Sequence, residues 1–182
     1  MIASYLLNFI FIKTRKTAGT TIEMLLAPLC GPKDIVTPIG NRDEILRGNG
    51  QPLCRNFASD PAIEEFVRET ILLRKTAKLE ARKNAVRFEF FNHMDAVRIK
   101  AKMAPEFWKK AFKFTAERHP YEKAVSLAYF WHGSRNANVP FGQHLDSIVR
   151  TGSYPSYGFY TIDDRVIVDE FVRYESLHDD LK

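Results

Sequence analysis

The sequence predicts a single α/β domain, residues 1–182, in which helices flank a mostly parallel central sheet. The chain is 45% hydrophobic and no Gly/Ser-rich or Pro-rich linker divides it, which suits one core. Short apolar runs alternate with segments of helical spacing, an order typical of βαβ units. Near the N-terminus, a predicted strand runs into a glycine-containing loop that opens a helix.

The predicted strands are apolar runs, or segments in which apolar and polar residues alternate. The first is Leu6 to Lys13, where an Ile- and Phe-rich run ends in polar residues. The others are residues 85–93, residues 111–120 and Val168 to Tyr174, with a hairpin around Asp163-Asp164. Residues 31–59 contain many Gly, Pro and Asn without a clear period, which predicts a long loop with little regular structure.

The predicted helices begin at capping residues, at prolines, or where apolar residues recur every three or four positions. Their first residues are Thr20 or Thr21, Pro61, Met94, Pro105, Tyr121, Val139 and Ser176. In the helix from Tyr121 to Trp131, the residues that recur at helical spacing are Tyr121, Val125, Ala128 and Tyr129.

The net charge of the chain favours an anionic partner. Lysine and arginine outnumber aspartate and glutamate by 27 to 22, a mild excess. A phosphate, a sulfate, an acidic glycan or nucleic acid all fit this charge, as does a basic surface without a partner. The basic run from Arg74 to Lys83 has the same two interpretations, a docking face for an acidic glycan or a solvated helix face.

The cysteines and the apolar segments bear on location. Cys30 and Cys54 form neither a disulfide framework nor a metal-binding spacing, which predicts free thiols in a reducing compartment and a cytoplasmic location. The apolar N-terminus lacks the basic region and the cleavage site of a signal peptide. No apolar run reaches the roughly 20 residues that a membrane helix needs, so we expect no membrane segment.

The stretch FIKTRKTAGTT, residues 11–21, has the chemistry of an anion-binding loop. A turn that leads from a strand into a helix directs several backbone N–H groups at one point, where the helix dipole adds positive charge. Gly19 allows close approach, Lys16 adds a mobile charge, and Thr17, Thr20 and Thr21 add hydroxyl donors. The stretch does not match the triphosphate loop G-x-x-x-x-G-K-[ST]. An ordinary strand-to-helix turn with surface cations is the alternative.

Three segments of the chain resemble sulfotransferases that use 3′-phosphoadenosine 5′-phosphosulfate (PAPS). FIFIKTRKTAGTT is similar to their 5′-phosphosulfate loop, although Arg15 stands where the family often has proline. FKFTAERHPYEKAVSLAY resembles their 3′-phosphate segment, with Arg118, Pro120 and Ser126 at the matching positions. VIVDEFVRYESLHDDL resembles a strand-to-helix junction in which Arg173 and Glu175 are structural. The resemblance runs from about residue 9 to 181, in the order of the family.

The resemblance implies a PAPS-dependent sulfotransferase with a P-loop-like fold, similar to the branch that acts on carbohydrates. The residues that would bind the 5′-phosphosulfate are Lys16, Thr17, Ala18, Gly19, Thr20 and Thr21. Arg118 and Ser126 would bind the 3′-phosphate, and Lys16 would also neutralise the leaving phosphate. The implied acceptor is a hydroxyl compound such as a carbohydrate. Neither a metal nor a nucleic acid partner is expected.

The general base is the least determined of these roles. His93 ends a predicted strand, and a histidine at a comparable place in related glycan sulfotransferases deprotonates the acceptor hydroxyl. His132 and His144 are rivals for that role, and a hydrogen-bonded loop residue is the alternative for His93. Trp108 and Trp131 either line an adenine or sugar pocket or pack at the edge of the core.

Two other functions stay open at this stage. A nucleotide kinase or NTPase would use the same loop, and it predicts magnesium dependence and an acidic ligand at a strand end; the missing glycines argue against it. A binding module for nucleic acid or a polyanionic glycan, without catalysis, predicts affinity that falls steeply with salt and shows no preference for the adenosine 3′-phosphate.

Overall fold

A five-stranded sheet forms the centre of this computed structural model, which describes residues 1–50, 52–73, 88–134 and 138–182. The strands are β1 (Ile2–Ser4), β2 (Phe9–Ile12), β3 (Ile35–Val36), β4 (Phe112–Glu117), β5 (Thr161–Ile162), β6 (Arg165–Val166) and β7 (Glu170–Arg173). The sheet has the order β3-β1-β2-β4-β7, and β5 and β6 form a separate hairpin around the predicted turn. The α/β class predicted from the sequence is therefore confirmed.

The sheet is mixed, because only half of its pairings are parallel. β2 pairs with β4 and β4 pairs with β7 in parallel, whereas β1 pairs antiparallel with both β2 and β3. The prediction of a mostly parallel sheet thus describes only the β2-β4-β7 half. The carboxyl ends of these three strands meet at one edge, so the loops that follow them are neighbours.

The antiparallel half arises from a chain reversal just before β2. Asp34 accepts hydrogen bonds from the backbone N–H groups of Tyr5 (2.7 Å) and Leu6 (3.1 Å) and from the Ser4 hydroxyl (2.6 Å). Asn8 has a left-handed φ of 57°, which completes the turn. The predicted first strand therefore begins at Phe9 rather than Leu6, and the first residues of the chain form β1 instead.

The predicted helices begin within two residues of their predicted first residues, and α2 was not predicted. They are α1 (Gly19–Leu26), α2 (Asn41–Arg47), α3 (Pro61–Leu72), α4 (Ala96–Lys102), α5 (Pro105–Lys110), α6 (Pro120–Ser134), α7 (Phe141–Thr151) and α8 (Leu177–Asp180). Asp60 caps α3 and Asp95 caps α4, each by accepting a hydrogen bond from a first-turn N–H.

Two predictions for the middle of the chain were wrong. Residues 31–59 are not one loop, because they contain β3 and α2, and Val36 pairs with Arg55 in an isolated bridge. Residues 88–93 of the predicted strand 85–93 form no strand, and residues 85–87 lie outside the described residues. The basic run from Arg74 to Lys83 lies outside them as well.

Both faces of the sheet are covered by apolar packing. Alternation along β2 places Ile10 and Ile12 in one cluster and Phe9 and Phe11 in another. The first cluster includes residues of α3 and α4, and Trp108 packs against it. The second includes Ile22 of α1.

The helix α6 packs by a different face from the one its recurring residues suggest. Ala124, Leu127 and Ala128 are buried against Ile148 of α7, with Trp131 at the edge of this third cluster. Tyr121, Val125 and Tyr129 are instead exposed.

Among the described residues, no helix is both long and apolar enough to cross a membrane.

Candidate anion-binding and catalytic site

A cavity of about 550 Å³ lies at the carboxyl end of β2. Its lining comes from the loop after β2, the start of α1, the residues before α4, the start of α2 and one face of α6. The lining residues are Lys13, Thr14, Arg15, Lys16, Thr17, Ala18, Gly19, Thr20, Gly40, Asp43, Asn92, His93, Leu127, Phe130 and Trp131. Two predicted site elements, the anion loop and His93, therefore share one cavity.

The loop from Lys13 to Ala18 turns through two left-handed residues. Lys16 and Ala18 both have φ near 60°, although neither is glycine. Ala18 is the N-cap of α1 and supplies no side-chain cap, so the first-turn N–H groups of α1 receive no acceptor from it. Such free N–H groups at a helix start, with the dipole behind them, are suited to an anion.

The threonines of this loop differ in burial and in hydrogen-bond partners. The Thr17 hydroxyl is buried and lies 2.8 Å from the Thr14 hydroxyl, which also donates to the Ala116 carbonyl of β4. The Thr17 hydroxyl is therefore occupied within the loop by Thr14, whose own hydroxyl ties the loop to the sheet, and Thr17 would meet a ligand through its backbone. Thr21 is exposed, and the Thr20 hydroxyl accepts a hydrogen bond from Lys13 Nζ at 3.0 Å.

Beneath the loop lies a buried ionic network that was not predicted from the sequence. Lys13 Nζ is 2.7 Å from Glu23 Oε2, and the Met1 amino group is 2.5 Å from Glu23 Oε1. Burial raises the pKa of Glu23, but the two cations outweigh it and the net shift is downward. Glu23 is therefore a carboxylate that pairs with both Lys13 and the N-terminal amino group.

Gly19 is required by this network. A Cβ atom on Gly19 would lie 2.6 Å from Lys13 Cγ, because the lysine stem crosses the first turn of α1 to reach Glu23. Lys13 is almost completely buried, so its stem has little room to move. The close approach of a ligand at Gly19 stays a prediction, and the structure adds a close approach of Lys13.

Lys16 is one of the cations that line the cavity. Its Nζ lies 4.7 Å from the centroid of the Phe130 ring on α6. Burial, followed by the positive charge of Arg118, lowers the pKa of Lys16 from its usual value. Because Lys16 and Arg118 interact electrostatically, the two predicted anion-binding cations belong to one region of the molecule.

Arg118 follows β4 and is held by its neighbours. Its guanidinium lies 3.9 Å from the centroid of the Tyr174 ring, and both Nε and Nη2 are 3.3 Å from Glu122 Oε2. Glu175, after β7, accepts the backbone N–H of His119 at 2.7 Å and so fixes the turn beside Arg118.

Arg118 lines a second cleft, of about 300 Å³, rather than the main cavity. The other residues that line it are Glu117, Pro120, Lys123, Tyr154, Pro155, Ser156, Tyr157 and Tyr160. Lys123 is buried there, with its Nζ 2.7 Å from Glu117 and 2.6 Å from Ser156.

Ser126 lines neither cleft, but α6 places it between the two cations. It lies one helical turn after Glu122, the partner of Arg118, and one turn before Phe130, the contact of Lys16. Glu122 and Phe130 are separated by about 12 Å along the helix. One face of α6 therefore connects the two predicted phosphate positions.

His93 is partly buried and has an uncommon left-handed backbone, with φ 58°. Its Nδ1 is 3.3 Å from the carbonyl oxygen of Lys13. Burial, then the charges of Lys13 and of the N-terminal amino group, lower its pKa to about 4, so His93 is neutral at pH 7. Since a carbonyl only accepts, this contact assigns the proton to Nδ1 and leaves a lone pair on Nε2.

The rival histidines lie elsewhere. His132 and His144 face each other between α6 and α7, with ring centroids 5.8 Å apart, and neither lines the cavity. His132 Nδ1 is 3.1 Å from the carbonyl of Val139, which occupies that nitrogen.

Several cavity residues escaped the sequence analysis. Asp43 and Gly40 come from a segment that was predicted to be a loop, and Phe130 lies next to the helix positions that were singled out. Asn92 precedes His93, and among the described residues its buried Oδ1 has no hydrogen-bond partner. The start of α2, with Gly40 before two acidic residues, was the available signal for Asp43.

Within the described residues, no group of three or more His, Cys, Asp or Glu side chains is arranged to hold a metal ion. Comparison of the chain with protein-family models, with curated proteins and with solved structures finds no match.

Proposed function

We propose that this chain is a PAPS-dependent sulfotransferase that transfers a sulfuryl group to a hydroxyl acceptor such as a carbohydrate. The observation that carries the proposal is the shared cavity, in which Lys16 and the free first turn of α1 face the same space as a neutral His93. An anion position beside a base is the arrangement that sulfuryl transfer requires.

The donor would be held at two points. The 5′-phosphosulfate would meet the Lys16 ammonium and the backbone N–H groups of the residues that follow, namely Thr17, Ala18, Gly19, Thr20 and Thr21. The 3′-phosphate would meet Arg118 and the Ser126 hydroxyl, on the same face of α6 as the Lys16 contact. Arg118 would have to exchange Glu122 for the phosphate, a change that an exposed ion pair permits at low cost.

The proposed reaction is an in-line displacement at sulfur. The acceptor oxygen forms a bond to sulfur while the bond from sulfur to the bridging phosphate oxygen breaks, and the electron pair leaves with adenosine 3′,5′-bisphosphate. Lys16 offsets the charge that develops on that oxygen. The acceptor proton passes to the free Nε2 of His93, whose Nδ1–H stays on the Lys13 carbonyl.

A product assay tests this proposal. Purified protein is incubated with PAPS and a panel of sugars and phenols, and formation of adenosine 3′,5′-bisphosphate is followed by chromatography. We expect acceptor-dependent product, lost in Lys16→Ala and lowered roughly 10² to 10⁴-fold in His93→Ala, the usual range for losing an acid–base group. Lys33→Ala, on an exposed loop residue away from the cavity lining, is the control. Unchanged turnover in Lys16→Ala would contradict the proposal.

A nucleotide kinase or NTPase is the second candidate, and Asp43 is the observation that favours it. This carboxylate lines the cavity beside the anion loop, where a magnesium ligand would be useful. Magnesium-dependent consumption of ATP, lost in Asp43→Asn, would support this candidate over sulfuryl transfer.

A further inference from the structure

The start of α2 brings a carboxylate to one wall of the cavity. The Asp43 carboxylate lines the cavity and accepts no hydrogen bond or ion pair from any residue that the structure describes. A carboxylate without a protein donor can accept a charge-assisted hydrogen bond from a ligand, so a ligand that brings a donor to this wall is favoured.

The opposite wall of the cavity is apolar. Leu127, Phe130 and Trp131 present it from α6. Rings with an apolar face, such as those of sugars and phenols, pack well on aromatic side chains. The cavity therefore suits a ligand with one apolar face and hydrogen-bond donors on another edge.

The charges of the cavity add a further requirement. Glu23 holds Lys13, and the proposed donor anion would occupy Lys16 and the α1 amides. Arg15 packs on the Phe159 ring, and Asp43 is the acidic residue of the described lining, which a donor anion would leave unmatched. A carboxylate in a partly enclosed site binds an ammonium group more strongly than a neutral donor.

We propose that the acceptor is a hydroxyl compound that also carries a protonated amine, with the ammonium group on Asp43 and a ring against Phe130 and Trp131. Amino sugars and phenolic amines share this chemistry. The role of this compound as an acceptor rests on the proposed function. The preference of the cavity for a cationic ring compound can be measured without any transfer reaction.

Matched ligands test the proposal. Binding at pH 7 is measured by saturation-transfer NMR and calorimetry for glucosamine beside glucose, and for tyramine beside 4-ethylphenol, with adenosine 3′,5′-bisphosphate present. We expect the amine of at least one pair to bind about tenfold more tightly than its neutral partner, the scale of one charge-assisted contact. The pair that responds identifies the ring class. Equal binding within both pairs would overturn the proposal.

Two variants assign the preference to its residue. Asp43→Asn keeps the shape of the side chain, and it should abolish the amine preference without weakening the bisphosphate. Asp146→Asn removes an exposed carboxylate on α7 that pairs with Arg150, and it should leave the preference intact. A preference that survives in Asp43→Asn would show that another group selects the amine. The bisphosphate affinity, measured on the same samples, reports separately on the sulfotransferase proposal, because the amine preference can hold where the bisphosphate does not bind.

Discussion

At the scale of single residues, His93 connects the ionisation of the site to the stability of the fold. Its pKa is lowered to about 4 in the folded chain, against an ordinary value of 6.5. Between these values the unfolded chain binds a proton that the folded chain does not, so the free energy of unfolding falls as the pH falls from about 6.5 to about 4. The loss is about 3 kcal/mol, and it is absent at pH 7.

His93→Gln should remove this part of the pH dependence. We expect urea denaturation to show a smaller loss of stability between pH 7 and pH 4.5 in His93→Gln than in the original chain. His119→Gln, at an exposed position on the turn before α6, should keep the original dependence. If His93→Gln and the original chain lose the same stability over this range, His93 is not a buried neutral imidazole.

Substitutions of Arg118 and of Glu122 should change nucleotide affinity in opposite directions. Arg118→Ala should weaken adenosine 3′,5′-bisphosphate by roughly 2 to 4 kcal/mol, the scale for a charge-assisted contact, while 5′-AMP changes little. Glu122→Gln should strengthen the bisphosphate up to about fivefold, because Glu122 competes for the same guanidinium. Arg150→Ala, on an exposed ion pair of α7, is the control in calorimetric titrations. Equal losses of bisphosphate and 5′-AMP in Arg118→Ala would mean that Arg118 supports the fold instead.

At the scale of elements, the packing of Lys13 against α1 determines how the helix begins. Gly19→Ala should destabilise the chain by about 1–3 kcal/mol, since the new methyl group would displace the buried Lys13 stem from Glu23. Gly142→Ala, in the first turn of α7, meets no atom within 4 Å and should leave stability unchanged or slightly raise it. Thermal unfolding of the two variants distinguishes the effects, and a Gly19→Ala variant as stable as Gly142→Ala would contradict the assigned role of Gly19.

The elements that could be predicted from the sequence are those with local signals. Asp60 and Asp95 cap their helices, Asp163-Asp164 forms the hairpin turn, and the alternation of Phe112 and Phe114 marks β4. β3 was missed because it has only two residues and is stabilised by pairing with β1. α2 was missed because it lies in the same segment, which was predicted to be a loop. The antiparallel β1 depends on Asp34, which lies 30 residues after Ser4 and gives no local signal.

The same distinction holds for the site. The placement of Lys16 and Arg118 at one edge of the sheet could be predicted, because each follows a recognisable strand and parallel strands bring such positions together. The network of Lys13, Glu23 and the Met1 amino group could not, since a buried ion pair depends on three-dimensional packing. Asp43 was missed because it lies in α2, inside a segment that was predicted to be a loop.

At the scale of the whole molecule, the parallel strands β2, β4 and β7 organise the site. Lys16 follows β2, Arg118 follows β4 and Tyr174 follows β7, and the last of these packs on the Arg118 guanidinium. The antiparallel strands β1 and β3 extend the sheet away from this edge. A ligand with anionic groups at two ends is the chemistry that the cationic edge suits best, which is the central claim of the proposed function.

Calorimetric titration with adenosine 3′,5′-bisphosphate, beside 5′-AMP and beside ATP with and without magnesium, tests that claim most directly. Two separate cationic positions predict that the bisphosphate binds about 100-fold more tightly than 5′-AMP, the equivalent of one charge-assisted contact of roughly 3 kcal/mol. The same account predicts no advantage for magnesium-bound ATP. Equal affinity for the bisphosphate and 5′-AMP, or a magnesium-dependent preference for ATP, would contradict it.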